Sequence, residues 1–178
     1  MATWNSRGLR GSSLEEMVNR TNEKYRSSGL ALIQKIPTPI TPVKMDKQNH
    51  QITLAYFEQR STVDYIGVVQ GIPVCFDAKE CQAKSFPMAN VHEHQIVFME
   101  DFERQGGISF LLIFLGAYDL YYYMRFQELT KFWNRAKVGK SKSVKVEELD
   151  MDYAVEVKGF QIHYLPALQK DLDSRQKK

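Results

Sequence analysis

Val74-Cys-Phe-Asp-Ala-Lys79 sits in the middle of the chain, within a longer apolar run from Ile72 to Lys79. Its composition and length suit a β-strand. Side chains alternate across a strand, so Val74, Phe76 and Ala78 face one way while Cys75, Asp77 and Lys79 face the other. A carboxylate and an ammonium therefore share one face. Just upstream, Asp64 to Val69 reads as a second strand, joined to the first by Gln70-Gly71, where the glycine suits a tight hairpin turn. The two strands lie side by side, and Asp64 is brought onto the strand adjacent to Asp77 and Lys79.

Working outward, Ser13-Leu-Glu-Glu16 reads as a capping box that starts a helix. Leu14, Met17, Val18, Thr21 and Tyr25 follow at helical spacing, and Gly29 offers a left-handed stop. Leu30 to Ile36 reads as a strand. Pro37, Pro39 and Pro42 then forbid helix and disfavour a central strand. Val43 to Asp46 and Gln51 to Phe57 flank the turn-like Lys47-Gln-Asn-His50, which predicts a protruding two-stranded arm. Beyond Lys79, Phe86-Pro87 breaks the chain, a helix is expected from Asn90 to Gln105, and Gly106-Gly107 ends it. Ile108 to Ala117 is expected as a buried strand, Leu120 to Met124 as another, and Gln127 to Arg135 as a helix. Val146 to Leu149 reads as a short helix and Gly159 to Leu165 as an edge strand, with a charged tail beyond. These elements predict a single α/β domain. The division expected is a flexible basic arm over residues 1–12, one domain over 13–170 with an insertion at about 36–61, and a charged tail over 171–178.

A chain of 178 residues, 43% hydrophobic and 25% charged, fits one soluble globular domain. Its longest apolar run falls well short of the roughly 20 residues that cross a bilayer as a helix, and the N-terminus lacks a secretory pattern. No membrane association and a cytoplasmic location are the expectation. Cys75 and Cys81 cannot form a disulfide framework, and with His92 and His94 they match no familiar zinc spacing, so reduced bystander thiols are expected. The net charge of +3 is unevenly spread. Lys131, Arg135, Lys137, Lys140, Lys142 and Lys145 occur without an intervening acid, and Arg7 and Arg10 stand in an acid-free N-terminus. Such segments suit a polyanion such as nucleic acid, although a solvated loop would read the same way.

One further residue stands out. Val91, Gln95, Phe98 and Phe102 recur as a buried helical stripe, and a buried amide needs partners because leaving it unsatisfied costs roughly 1 to 3 kcal/mol. Gln95 is thus expected to meet a polar group, either the Asp64, Asp77 and Lys79 cluster or ordinary backbone.

An acidic residue, any residue and a lysine, with a further aspartate on the neighbouring strand, is the layout of the PD-(D/E)xK nucleases. Alone it is more often a surface ion pair. Here Ser61-Thr-Val-Asp64-Tyr-Ile-Gly, Phe76-Asp-Ala-Lys79-Glu, Ser85-Phe-Pro and His92-Glu-His-Gln95 occur in order, and together they resemble the RecU Holliday-junction resolvases. The similarity runs from about Ser12 to Leu165 and includes Leu14-Glu-Glu-Met, Pro37-Thr-Pro, Ala55-Tyr-Phe57 and Phe132-Trp-Asn-Arg135.

The resemblance implies an α/β restriction-endonuclease-like nuclease fold, a mixed β-sheet flanked by helices with a protruding β-hairpin stalk, and a homodimer acting on four-way junction DNA. Phosphodiester hydrolysis needs an activated water and stabilised charge on phosphorus, which Mg²⁺ or Mn²⁺ supplies. Asp64, Asp77 and the backbone carbonyl of Ala78 would hold that ion, with Gln95 completing the site directly or through a water, and Lys79 would orient the attacking water. Phe57, Lys44 and Lys47 would meet the junction centre, and Arg7, Arg10, Lys140 and Lys142 the DNA backbone. The sequence departs from the family in having Asp77 where Glu is usual, Val63 where Thr is usual, and a shorter arm. A duplex-cutting nuclease of the same fold and a non-catalytic junction-binding or strand-exchange accessory protein are the alternatives.

Overall fold

The hairpin expected around Gln70-Gly71 forms. Both residues have positive φ, 49° and 86°, as a two-residue turn of type I′ requires, and Gly71 takes that conformation without a Cβ penalty. The computed structural model describes residues 13–57 and 62–176. The chain runs α1 (Ser13–Ser27), β1 (Ala31–Lys35), β2 (Ile40–Asp46), β3 (Gln51–Phe57), β4 (Tyr65–Val69), β5 (Ile72–Cys81), β6 (Ser85–Pro87), α2 (Glu93–Arg104), β7 (Ile108–Leu115), β8 (Leu120–Arg125), α3 (Phe126–Lys137), β9 (Ser143–Lys145), β10 (Glu156–Lys158), β11 (Gln161–His163) and α4 (Leu165–Gln176). Single 3-10 turns precede α2 and separate β7 from β8, and two more follow β9.

Five strands form the central sheet in the order β1-β4-β5-β7-β8. It is mixed: β5 and β7 are parallel, linked by the crossover through α2, and every other pairing is antiparallel. Strand alternation sorts the two faces. On one, Phe76 lies stacked between Tyr65 (4.8 Å) and Phe110 (4.6 Å), and Phe110 stacks on Tyr123 at 4.3 Å. The hydroxyls rimming this seam reach the covering helices. Tyr65 donates to Asn19 of α1 (2.9 Å), Tyr164 donates to Asn22 of α1 (2.5 Å), and Tyr123 donates to Asp171 of α4 (3.1 Å). Each such ring pair adds about 0.5–1.5 kcal/mol beyond the area it buries. The other face carries Cys75, Asp77 and Ser109 under α2, where the Ser109 hydroxyl donates to the Met99 carbonyl at 3.1 Å. On the same face Tyr122 donates to Glu128 of α3 at 2.9 Å. Cys75 and Cys81 are free, buried thiols.

β2 and β3 pair only with each other in a separate two-stranded sheet, the expected arm. Ile40, Val43, Met45, Ile52, Leu54 and Tyr56 are all exposed on it. Asp46 closes its tip by accepting the Gln48 and Asn49 amides at 2.9 and 3.3 Å. Among the described residues, no helix is long and apolar enough to cross a membrane.

Three expectations are corrected. Ser13 is already helical, and its hydroxyl donates to Glu80 of β5 at 3.1 Å, while Glu16 pairs with Arg20, so Ser13-Leu-Glu-Glu16 is not the closed box its spelling suggests. The second helix begins at Glu93 rather than Asn90, because His92 is extended and forms its N-terminal boundary. The supposed charged tail is mostly α4. Pro166 suits its first turn, Ala167 and Leu168 are buried, and Asp171 is fully buried.

Asp171 survives there because it is satisfied. Besides Tyr123 it accepts from Arg175 Nε at 2.9 Å, and Arg175 also reaches Glu103 of α2 at 2.5 and 3.0 Å. Glu103 in turn accepts the Ser109 amide at 2.7 Å. Removing one partner of a buried pair leaves an uncompensated charge, so Arg175→Ala should cost about 3 kcal/mol. In a domain of this size that lowers Tm by about 6–12 °C. Urea and thermal denaturation measure it, and a loss below about 1 kcal/mol would show that α4 is not anchored by this cluster.

Candidate active site

The β4–β5 hairpin sets Asp64 and Asp77 against each other through a reciprocal clasp. Asp77 Oδ1 accepts the backbone N–H of Asp64 at 2.7 Å, and Asp64 Oδ2 accepts the backbone N–H of Ala78 at 3.0 Å. Asp64 lies one residue before β4, where its carbonyl takes the Ile36 amide at 2.8 Å. Asp77 is fully buried. Its Oδ2 receives Gln95 Nε2 and Lys79 Nζ, each at 2.5 Å. Alternation along β5 puts Lys79 on the Asp77 face, and its side chain retains 18% exposure. All four residues singled out from the sequence for this cluster therefore meet at one carboxylate.

Gln95 answers both of the alternatives its burial left open. Its Oε1 accepts the His92 amide at 3.0 Å, closing the first turn of α2, while its Nε2 is turned onto Asp77. Its oxygen is thus engaged with backbone and its nitrogen faces the acid. Val63, the residue before Asp64, is buried and apolar.

The electrostatics follow from two carboxylates and one ammonium in a partly dry setting. Asp64 is pushed up to about 6, first by burial and then by the negative charge of Asp77, with the Ala78 amide and Lys79 working the other way. The pair is short of positive charge.

The remaining sequence-derived residues lie elsewhere. Lys44 and Lys47 are exposed on the arm, and Phe57 is the last residue of β3, paired with Ile40. Arg7 and Arg10 fall outside the described residues. The basic run divides. Arg135 is committed to Glu148 and to the Ser143 carbonyl, and Lys137 to Glu93 at 2.6 Å. Lys140 and Lys142 are exposed. Their loop is held at the start of α2, since the Lys142 carbonyl accepts the Met88 amide at 2.9 Å and β9 pairs with β6. They stand at the same end of α2 as Gln95.

Two contributors escaped the sequence. His92 serves through its backbone amide, for which its side chain gives no signal. Glu80 points to the face opposite Lys79 and accepts from Ser13 and the Leu14 amide, a role that alternation alone could have placed but not named.

A mixed sheet with an Asp…Asp-x-Lys set at its hairpin, covered by the crossover helix, defines the restriction-endonuclease-like class of nuclease fold. Comparison with known proteins narrows the class. The family model described as RecU: Recombination protein U matches residues 9–170. The chain is 41% identical over 161 residues to Holliday junction resolvase RecU of Pediococcus pentosaceus, covering 88% of this chain and 77% of that protein. It is 38% identical over 169 residues to the protein of the same name from a Geobacillus species, covering 92% and 84%. The match to that of Bacillus pumilus is 42% over 144 residues, covering 79% and 69%. The chain belongs to the RecU family.

Asp64 also makes stability depend on pH. Its folded-state value lies above the ordinary 3.8, so its contribution is whole below about pH 4 and is lost as the pH rises through about 6. Without divalent metal, Asp64→Asn should gain on the order of 1–2 kcal/mol over wild type between about pH 4 and about pH 7, and nothing at lower pH. Denaturation across that range decides it, and parallel curves for the two proteins would mean that Asp64 titrates normally.

Proposed function

We propose that the protein resolves Holliday junctions as a metal-dependent endonuclease, working in the cytoplasm as a homodimer in recombination and repair. The observation that carries this reading is the convergence of Asp64, Lys79 and Gln95 on the buried Asp77 in a chain of the RecU family.

The donor set fits a hard divalent cation, Mg²⁺ or Mn²⁺. Only oxygen donors are offered, and the charge-deficient carboxylate pair is what such an ion neutralises. Asp64, Asp77 and the carbonyl of Ala78 would hold it. Among the described residues no group of three or more His, Cys, Asp or Glu side chains is placed to hold a metal ion by itself, so water and phosphate oxygens would complete the shell. When bound, the ion supplies a polarised phosphoryl oxygen and a water of lowered pKa.

The chain's own groups do the rest. Asp77 takes the orientation that Gln95 and the Asp64 amide impose on it. Gln95 acts chiefly through Asp77, and any contact with the ion would pass through water. Lys79, with its ammonium on the Asp77 face, donates to the attacking water and favours its hydroxide form. In-line attack leaves 5′-phosphate and 3′-hydroxyl ends. Two copies related by a dyad would place two sites on strands of like polarity in a symmetric junction. The arm, through Phe57, Lys44 and Lys47, would enter the junction centre, while Lys140, Lys142, Arg7 and Arg10 would meet phosphates and make binding salt-dependent.

A labelled four-way junction and a linear duplex of the same sequence, each with Mg²⁺, Mn²⁺ or chelator, test this reading. The wild type is expected to place paired nicks in the junction only with metal. Asp77→Asn should lose at least about a hundredfold in rate while still binding. Tight junction binding with no cleavage in any metal would replace the nuclease by an accessory binding protein.

A further inference from the structure

Beside the acidic site, on the outer side of α2, lies an open groove of about 620 Å³ to which the catalytic reading gives no role. It is lined by Thr62, His92, Glu93, His94, Val97, Phe98 and Asp101. We propose that this groove holds one unstacked nucleobase of the cleaved strand, next to the scissile phosphate, and so sets the base preference of cutting. The proposal rests on the nuclease reading and deepens it.

Position is the first argument. Thr62 is two residues from Asp64, and the His92 amide is held by Gln95 Oε1, whose Nε2 lies on Asp77. The groove is therefore separated from the catalytic carboxylate by a single side chain. Chemistry is the second argument. Among the described residues no lysine or arginine lines the groove, and its two carboxylates, Glu93 and Asp101, are each paired with a cation, Lys137 at 2.6 Å and Arg104 at 3.1 Å, so the groove carries little net charge and suits a neutral base better than a run of phosphates. Its walls offer flat and apolar surface. The His92 and His94 rings stack at 5.5 Å with 13° between their planes, and Val97 is 51% exposed on a helix that is otherwise amphipathic. Bases of unpaired strands are recognised by such stacking surfaces together with polar contacts to their edges. Arg104 holds one Asp101 oxygen at 3.1 Å, and the other is left to accept from a base's exocyclic amino group, as carboxylates do from cytosine. Size is the third: the volume lies within the roughly 300–1,000 Å³ typical of sites for small molecules.

The experiment uses full-length protein and junctions with a single abasic nucleotide moved through the three positions on either side of the scissile phosphate. In the wild type, one abasic position should lower kcat/KM about tenfold. Val97→Arg, which fills the groove from an exposed position, should lower kcat/KM on the intact junction by a similar factor and be indifferent to that abasic position. Junction affinity measured with chelator should stay within about twofold. His94→Ala serves as a second, smaller variant and should flatten the preference among the four bases at the same position. Equal sensitivity of wild type and Val97→Arg to the abasic scan overturns the proposal. So does dissociation of the protein into monomers by Val97→Arg in sedimentation, because the groove would then be covered by a second copy of the chain. A wild type that cuts no DNA at all would instead defeat the nuclease reading on which the groove's role stands.

Discussion

A single buried negative charge organises this protein. Asp77 has no solvent exposure, and a carboxylate in that position is tolerable only if donors replace the water it has lost. Three do, and each comes from a different constraint. The Asp64 amide is delivered by the register of the β4–β5 hairpin, the Lys79 ammonium by the two-residue period of β5, and the Gln95 amide by the placement of α2 over the parallel β5–β7 pair. Slipping the hairpin by one residue would turn Asp77 and Lys79 to the aromatic face and remove the amide together. The fold and the site thus depend on the same register.

The two faces of the sheet share the work unequally. Stacked rings from Tyr65 to Tyr123 fill one face, and polar groups appear there only at its rim, where they tie down α1 and α4. The opposite face carries the acids and the Cys75 and Ser109 pair beneath α2. A similar division runs through the basic segment. Arg135 and Lys137 brace the end of α3 against Glu148 and Glu93, which leaves the exposed loop lysines for an outside anion. Counting charges along the chain would have credited all of them to one purpose.

The sequence made much of this legible because the informative signals are periodic. Alternation in Val74 to Lys79 separated the faces correctly, the Gln70-Gly71 turn placed Asp64 beside Asp77, and three prolines marked where the arm leaves the sheet. The double engagement of Gln95 was foreseeable only as a need, since burial of an amide says that partners exist and not which they are. What stayed hidden depended on long-range pairing. Asp171 and Arg175 look like solvated charges until Glu103, some seventy residues away, is brought to them. The start of α2 was misplaced for a similar reason: a histidine is a poor capping residue by type, and the bond that closes the helix's first turn comes from a backbone amide that composition does not mark.

Helix α2 is fastened at both ends, by Gln95 on Asp77 near its start and by Glu103 on Arg175 near its finish. Through the first it is tied to the sheet's acidic centre, and through the second to a helix lying on the opposite face. Such a span has no local way to fray. Its amides should exchange with solvent in the slowest class, alongside those of β5 and β7, so that the helix over the candidate site belongs to the last cooperative unit to open. In this architecture the candidate site is part of the keel, and whatever movement the protein's work demands must be found in the arm and the loops instead.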